Sequence, residues 1–281
     1  MRTPRHLTNT FATAITAVLL LVAAGCETVK TTNAGAVGVD RKQQMLVDSK
    51  TIDAGAAQAY DAELKAARDK GALNTDKAQL ERVTRVAKRI VAVAPTFRPD
   101  AASWNWQFNV QKTDELNAYC MPGGRIMVYS GLIDKLDLSD AELATVLGHE
   151  IAHALREHTR ERVSRDYAQQ LVVQGAAAVT GVSADVANIA NMVGQVTFQL
   201  PFSREQESEA DTIGLELMAR AGYDPHAALT LWNKMSAAEG AGGTPKFLST
   251  HPPSKERMSD LEKNLPRVLP LYQQARRQGA G

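Results

Sequence analysis

The chain has 281 residues, a formal net charge of +1, 44% hydrophobic residues and 22% charged residues. This balance is typical of a globular protein, and the near-neutral charge gives no electrostatic basis for binding nucleic acid. Once an N-terminal targeting segment is set aside, the length allows one sizeable domain. The sequence contains two cysteines, one of which has another predicted fate, so no disulfide framework is expected.

The N-terminal sequence is typical of an export signal. Two arginines precede the apolar run 11–24, which is shorter than the roughly 20 residues that a transmembrane helix needs. Small residues directly before Cys26 match the lipobox of bacterial lipoproteins. We therefore predict a signal peptide over residues 1–25 and a lipid anchor on Cys26; the alternative is ordinary cleavage that leaves a free thiol. Because Glu27 rather than Asp follows, the predicted location is the periplasmic face of the outer membrane.

The rest of the chain divides into three predicted segments. Residues 26–73 are rich in Thr, Ala and Gly without a clear period, which is typical of a tether and a loosely packed lead-in. Residues 74–270 form the predicted domain, and residues 271–281 form a C-terminal tail. Within the domain, apolar residues at helical spacing from Leu80 to Ile90 predict its first helix.

Strand patterns follow that helix, and helical patterns follow the strands. Apolar residues alternate with polar ones from Trp104 to Val110, which predicts a half-buried strand. Residues 116–120 and 125–130 flank a Pro-Gly-Gly turn and predict a hairpin. Polar residues interrupt the apolar stretch 171–197, which favours a helical pair over a membrane span. The predicted fold class is therefore α+β and mostly helical, with a small sheet.

A His-Glu-x-x-His motif begins at His149. Ser139 and Glu142 form a capping box, which predicts a helix that runs through His153. His149 and His153 lie about 40° apart on this helix, so their imidazoles suit one tetrahedral zinc ion. Glu150 lies on the flank of that face, where it can take a proton from a water that the metal activates. The alternative is a solvated helix with two incidental histidines.

The third metal ligand must come from elsewhere in the chain. The longer motif with a third histidine needs Gly at position 156 and His at position 159, where this chain has Arg156 and Thr159. On a continuous helix, His158 lies about 180° from His149, which predicts a surface position. The alternating charges from Arg156 to Arg165 also predict a solvated face.

A later predicted helix, over residues 203–221, offers three glutamates as ligands. Glu207 shares its stripe with small and apolar residues, so it faces the core. Glu205 and Glu209 share a polar stripe with Glu216, which predicts a solvated face. Because a buried carboxylate is costly unless it is paired or bound to metal, Glu207 is the predicted third ligand.

Asp211 lies one turn beyond Glu207 on the same predicted helix. Its carboxylate is placed to accept a hydrogen bond from a ligand imidazole and so to fix the tautomer of that imidazole. The alternative for Asp211 is a simple buried ion pair.

The paired motifs resemble the gluzincin metallopeptidase family of the CAAX prenyl protease and HtpX, and within it the soluble lipoprotein branch of LoiP-like periplasmic metalloproteases. The resemblance covers about residues 79–265. It implies a zincin-like metallopeptidase domain with a small sheet beside the motif helix. The matching motifs are His149-Glu150-x-x-His153, Glu207-x-x-x-Asp211, Asn117-Ala118, Pro122-Gly123-Gly124, Tyr129-Ser130-Gly131-Leu132 and Thr250-His251-Pro252 with Arg257.

The resemblance also implies roles for residues outside the zinc motif. Asn117 and Ala118 match an edge strand that pairs with an extended substrate, and the alternative for Asn117 is a strand-end residue. His251 has three interpretations: an inhibitory ligand at the open metal position, an oxyanion stabiliser, or a structural loop histidine. Arg257 either binds an oxyanion or substrate, or pairs with a carboxylate.

The sequence thus predicts a zinc-dependent endopeptidase that holds one Zn²⁺ per chain. Its expected substrates are polypeptides, in particular misfolded or unassembled envelope proteins, and envelope assembly machinery is a further predicted partner. An outer-membrane chaperone or assembly factor with a structural zinc is the main alternative, although such a protein would not need Glu150 as a base. Hydrolysis of cell-wall material is a third reading, which the edge strand disfavours.

Overall fold

The computed structural model describes residues 27–174, 185–242 and 245–278 of the chain. The predicted signal peptide and lipidation site Cys26 lie outside the described residues, as do residues 175–184 of the apolar stretch. In the part that the structure describes, no helix is long and apolar enough to cross a membrane.

Helices dominate the described chain, and the strands are short. The strands are β1 (Glu27–Val29), β2 (Gln43–Met45), β3 (Gln107–Gln111), β4 (Ala118–Met121) and β5 (Arg125–Tyr129). The helices are α1 (Ser49–Asp69), α2 (Lys77–Val91), α3 (Ser130–Lys135), α4 (Asp140–Leu155), α5 (His158–Gln174), α6 (Val186–Phe198), α7 (Arg204–Arg220), α8 (Ala227–Gly242), α9 (Lys246–Thr250) and α10 (Lys255–Gln278). This architecture confirms the predicted α+β, mostly helical fold class.

The main sheet has the strand order β3-β5-β4. β5 runs parallel to β3 and antiparallel to β4, which confirms the predicted hairpin. The hairpin turn needs positive φ angles, and Gly123 and Gly124 supply them with values of 79° and 84°. Since β5 is central, β4 lies at an edge of the sheet, next to the motif helix α4.

The segment predicted as a loose lead-in is folded from residue 27 onward. β1 and β2 form an antiparallel pair, and α1 packs against α6 and buries Ile52 and Tyr60. The prediction failed because small residues suit close helix packing as well as a tether. At Gly55, an added Cβ would lie 2.7 Å from Cγ2 of Ile189. The predicted tail is also helical, since α10 extends to Gln278.

Two glycines bring α4 and α7 into close contact. A Cβ added to Gly148 would lie 2.8 Å from the carbonyl oxygen of Gly214, and one added to Gly214 would lie 2.8 Å from the backbone nitrogen of His149. Backbone atoms cannot rotate away as the end of a side chain can. The two helices therefore pack at a distance that only glycine allows, and this packing sets His149 beside the first turns of α7.

Replacing Gly214 with alanine is expected to force α4 and α7 apart and to destabilise the protein. Overpacking of this kind typically costs about 1–3 kcal/mol of unfolding free energy, measurable by urea denaturation. Gly194 on α6 is the matched control, because nothing lies within 4 Å of an added Cβ there. Gly194→Ala should instead stabilise the helix by about 0.5–1 kcal/mol. Equal shifts in the two variants would contradict the close packing.

Candidate metal centre and active site

The motif helix α4 begins with the predicted capping box. Ser139 Oγ accepts a hydrogen bond from the backbone N–H of Glu142, and Glu142 Oε2 accepts one from the backbone N–H of Ser139. The helix continues through His153, and the Nε2 atoms of His149 and His153 lie 3.1 Å apart. The two imidazoles therefore converge on one point, as their spacing predicts.

Glu207 comes from the first turns of α7, which has a capping box of its own at Ser203 and Gln206. Its carboxylate oxygens lie 3.5 Å from Nε2 of His149 and 3.4 Å from Nε2 of His153. The side chain is 2% exposed. The structure thus places the predicted third ligand directly beside the paired imidazoles.

His251 completes the cluster from the residue after α9. Its Nδ1 lies 3.2 Å from Nε2 of His149 and 2.9 Å from Oε1 of Glu207. Its Nε2 lies 3.5 Å from Oε1 of Glu150. The ring is 3% exposed and faces the other three ligand candidates, so it is buried at the cluster and does not lie in a surface loop.

The four side chains fit a single metal ion. One donor atom from each of His149, His153, Glu207 and His251 lies within 4.8 Å of the others. Tetrahedral coordination with bonds of about 2.0–2.1 Å places neighbouring ligand atoms about 3.3 Å apart, close to most of the separations above. Glu207 Oε2 accepts no hydrogen bond of good geometry from the described residues, although Arg257 Nη1 lies 2.7 Å away. Three imidazoles and a carboxylate form a donor set that suits zinc and related divalent metals.

Asp211 contacts this cluster on the side of His149 that faces away from the other ligand candidates, and Arg257 pairs with Asp211. Oδ1 of Asp211 lies 2.9 Å from Nδ1 of His149, the hydrogen bond predicted to fix the tautomer of that ring. Arg257 donates to both oxygens of Asp211, at 2.6 Å and 2.8 Å, and to the carbonyl oxygen of Pro252. The guanidinium also lies 4.2 Å from the ring centroid of Trp232. These contacts agree with carboxylate pairing, one of the two roles predicted for Arg257, and its substrate binding stays a prediction.

The electrostatics of Glu207 and His153 favour forms that can bind metal, whereas the charges of Glu207 and Glu150 outweigh burial and raise the pKa of His251. Burial alone would raise the pKa of Glu207, but the charges of His251 and Arg257 outweigh it and hold the pKa well below its usual value. Burial lowers the pKa of His153 well below that of a free histidine. The carboxylate is therefore ionised and this imidazole is neutral, which are the forms that coordinate a cation.

Glu150 lies between this cluster and the sheet edge. Its side chain is 4% exposed, burial raises its pKa, and Oε1 has no hydrogen-bond partner among the described residues. The backbone N–H of Cys120 on β4 donates to its carboxylate. A buried carboxylate with a raised pKa and a free oxygen has the properties of a general base.

Asn117 and Ala118 lie at the start of the edge strand β4. The backbone N–H of Tyr129 donates to the carbonyl of Asn117, so in antiparallel alternation the backbone groups of Ala118 and Cys120 point away from β5, where Asn117 and Glu150 accept their N–H groups. Oδ1 of Asn117 accepts the N–H of Ala118 at 3.0 Å. The structure thus places the predicted substrate-pairing residues at an edge next to Glu150.

The predicted surface position of His158 is wrong. α4 ends at Leu155, and Glu157 has a positive φ of 53°, so His158 begins a new helix in a different direction. The ring is 0% exposed, and its Nδ1 lies 2.9 Å from Nδ1 of His153. A bend at a non-glycine residue leaves no clear signal in a sequence, so continuing the rotation of α4 gave the wrong face.

The predicted solvated faces are also wrong at several charged positions. Arg156 and Glu216 are 0% exposed, and Glu209 is 7% exposed, whereas Glu205 is exposed as predicted. The N-terminal segment covers these positions: the backbone N–H of Val37 donates to Glu216. The pattern of charges on one helix could not reveal that a distant segment supplies their partners.

Residues 77–265 match the sequence profile of peptidase family M48. The chain belongs to this family. The matched segment contains every residue of the cluster described above, together with Glu150, Asp211 and Arg257.

Relatives within the M48 family come from mitochondria and bacteria. The chain is 40% identical over 185 residues to the mitochondrial metalloendopeptidase OMA1 of Schizosaccharomyces pombe, covering 66% of this chain and 52% of that protein. It is 26% identical over 215 residues to the metalloprotease YcaL of Escherichia coli, covering 75% and 83%. It is 28% identical over 178 residues to the beta-barrel assembly-enhancing protease of the same bacterium, covering 60% and 36%. The chain therefore spans about half the length of the OMA1 relative.

Proposed function

We propose that this M48 protein is a zinc-dependent endopeptidase. One observation carries the proposal: three imidazoles and a carboxylate converge within 4.8 Å, and Oε1 of Glu150, to which no described residue donates a hydrogen bond, lies beside them. His149, His153 and Glu207 would hold the ion. When bound, zinc supplies the Lewis acidity that lowers the pKa of a water and polarises a scissile carbonyl.

The protein's own residues perform the remaining steps. Glu150 takes a proton from the attacking water and later passes it to the leaving amine. Asp211 keeps a proton on Nδ1 of His149, so Nε2 presents its lone pair to the metal. The edge strand β4 would pair with an extended substrate backbone beside Glu150, once the N–H groups of Ala118 and Cys120 are released from Asn117 and Glu150.

A chaperone or assembly factor with a structural zinc is the competing function. A closed set of four protein ligands is typical of structural zinc sites, so His251 gives this alternative some support. A structural site does not require a buried carboxylate with an oxygen that no described residue hydrogen-bonds, so Glu150 favours the enzyme. Casein digestion with and without a chelator separates the two: we expect cleavage that the chelator abolishes. Zinc-loaded protein that suppresses aggregation but never cleaves would establish the alternative.

His251 would make the described state a latent one. It holds the position where water and substrate must approach, at 3.2 Å from Nε2 of His149 and 3.5 Å from Oε1 of Glu150. A catalytic zinc site needs an open position. Activity would therefore require the loop after α9 to withdraw this ring.

Replacing His251 with alanine is expected to raise proteolysis several-fold, because the fraction of molecules with an open site increases. Initial rates of casein cleavage at matched zinc content measure the effect. His226→Ala is the control, since that ring is 55% exposed and pairs only with Asp224. Unchanged or lower activity of His251→Ala would reject latency and favour an oxyanion or structural role.

The proposed location rests on the N-terminal sequence, and the proposed substrates rest on that location. We place the protein in the LoiP-like lipoprotein branch, anchored through Cys26 at the periplasmic face of the outer membrane, where it would degrade misfolded or unassembled envelope proteins. The similarity to an Escherichia coli protease named for beta-barrel assembly supports a role beside assembly machinery. Fractionation of Cys26→Ala tests the anchor, and envelope proteomics with Glu150→Gln tests the substrates. Release of cell-wall fragments without protein cleavage would instead favour the cell-wall alternative.

A further inference from the structure

The second nitrogen of His153 contacts another histidine, not a carboxylate or a carbonyl. Nε2 of His153 faces the metal cluster, and its Nδ1 lies 2.9 Å from Nδ1 of His158. Nε2 of His158 in turn lies 3.0 Å from Oε2 of Glu209. The rings of His153 and His158 are 3% and 0% exposed, so no bulk water competes for these bonds.

Only one arrangement of protons allows both hydrogen bonds, from His153 to His158 and from His158 to Glu209, while leaving His153 able to bind metal. Coordination requires the lone pair of His153 on Nε2, which puts its proton on Nδ1. Nδ1 of His158 must then accept that proton's hydrogen bond, so the proton of His158 resides on Nε2 and is donated to Glu209. The carboxylate of Glu209 thus sets the tautomers of both rings in succession.

Two arginines hold Glu209 in place, and they come from different parts of the chain. Arg156 donates to both oxygens of Glu209 at 3.0 Å. Arg41, in the segment before α1, donates to them at 2.8 Å and 3.1 Å and also pairs with Glu161 at 2.6 Å. Arg41 lies outside residues 77–265, which match the family profile.

We propose that His158 is a positioning residue for the metal ligand His153, that Glu209 fixes its orientation, and that the N-terminal segment braces the metal site through Arg41. This inference rests on the proposed metal site. It gives the N-terminal segment a role in metal binding that its sequence did not indicate. Nδ1 of His149 contacts the carboxylate of Asp211 directly. Nδ1 of His153 is connected to the carboxylate of Glu209 only through His158.

Zinc affinity of the full chain, measured by competition with a chromophoric chelator, tests the proposal. His158→Leu should lower the affinity by about 10- to 100-fold, the usual effect of removing the partner of a ligand imidazole. His158→Gln should recover most of the loss, because its amide oxygen accepts and its amide nitrogen donates across a similar span. The d–d absorption bands of the cobalt-loaded protein should shift in the Leu variant and return in the Gln variant.

Arg41→Met tests the brace separately. It should weaken zinc binding less than His158→Leu does, because Arg156 still holds Glu209. His226→Leu, at an exposed imidazole, is the control and should bind zinc like the wild type. The proposal is overturned if His158→Leu binds zinc as tightly as this control, or if Gln fails to recover affinity and spectrum. Unchanged zinc affinity in Arg41→Met would reject the proposed support of the metal site by Arg41. Wild-type protein without zinc would instead refute the proposed metal site itself.

Discussion

Replacing Glu150 with glutamine is expected to abolish peptide hydrolysis while zinc remains bound. The amide keeps the shape of the side chain but cannot accept the proton that the attacking water must lose. Loss of a general base typically lowers kcat by about 10²- to 10⁴-fold. Zinc should stay, because Glu150 is not one of the four residues whose donor atoms converge.

Casein turnover and zinc content, measured on the same preparation, check this expectation. Glu262→Gln is a suitable control, because Glu262 is exposed on α10, outside the cluster. Substantial turnover by Glu150→Gln would assign the base elsewhere. Loss of zinc from the same variant would show that Glu150 supports the metal instead of the proton transfer.

The second large effect is expected at Glu207, where Glu207→Gln should weaken zinc binding severely. The change removes the one anionic donor of the cluster and leaves Arg257 with Asp211 as its remaining carboxylate partner. The loss should exceed the roughly 100-fold that removal of an outer partner can cause, because a ligand atom itself is altered.

Glu205→Gln is the matched control for this experiment. Glu205 lies on the same helix two residues earlier, but its side chain is 65% exposed, and Arg41, which lies 3.5 Å from it, keeps its shorter contacts with Glu161 and Glu209. Both variants change one glutamate to one glutamine, so any general effect of charge on α7 is shared. Chelator competition should show a large loss for Glu207→Gln and wild-type affinity for Glu205→Gln. Equal affinities would exclude Glu207 as a ligand.

Local sequence patterns predicted the parts of the fold whose causes are local. The capping box at Ser139 predicted the start of the motif helix, because its two hydrogen bonds join residues three apart. The Pro-Gly-Gly turn predicted the hairpin, because its glycines supply the positive φ angles that the turn requires. Glu207 lies far from the motif in sequence and was identified only because burial of an unpaired carboxylate is costly, which predicts a bound metal or an ion-pair partner.

The sequence could not reveal partners that distant segments supply. Glu209 and Arg156 looked like solvent-facing charges, yet Arg41, more than a hundred residues earlier, covers them. His158 looked remote from the site because nothing in the sequence marks the bend at Glu157. The N-terminal segment looked like a tether because small residues permit both flexibility and close packing. The partners of Glu209 and Arg156 and the packing of the N-terminal segment are tertiary, whereas the bend at Glu157 is local but has no sequence signal.

X-ray absorption at the zinc edge of the purified full chain tests the central claim most directly. The account predicts one zinc per chain, surrounded only by nitrogen and oxygen neighbours at about 2.0–2.1 Å, and a changed spectrum in Glu207→Gln but not in Glu205→Gln. A preparation without stoichiometric zinc, or one with a sulfur neighbour at about 2.3 Å, would contradict it.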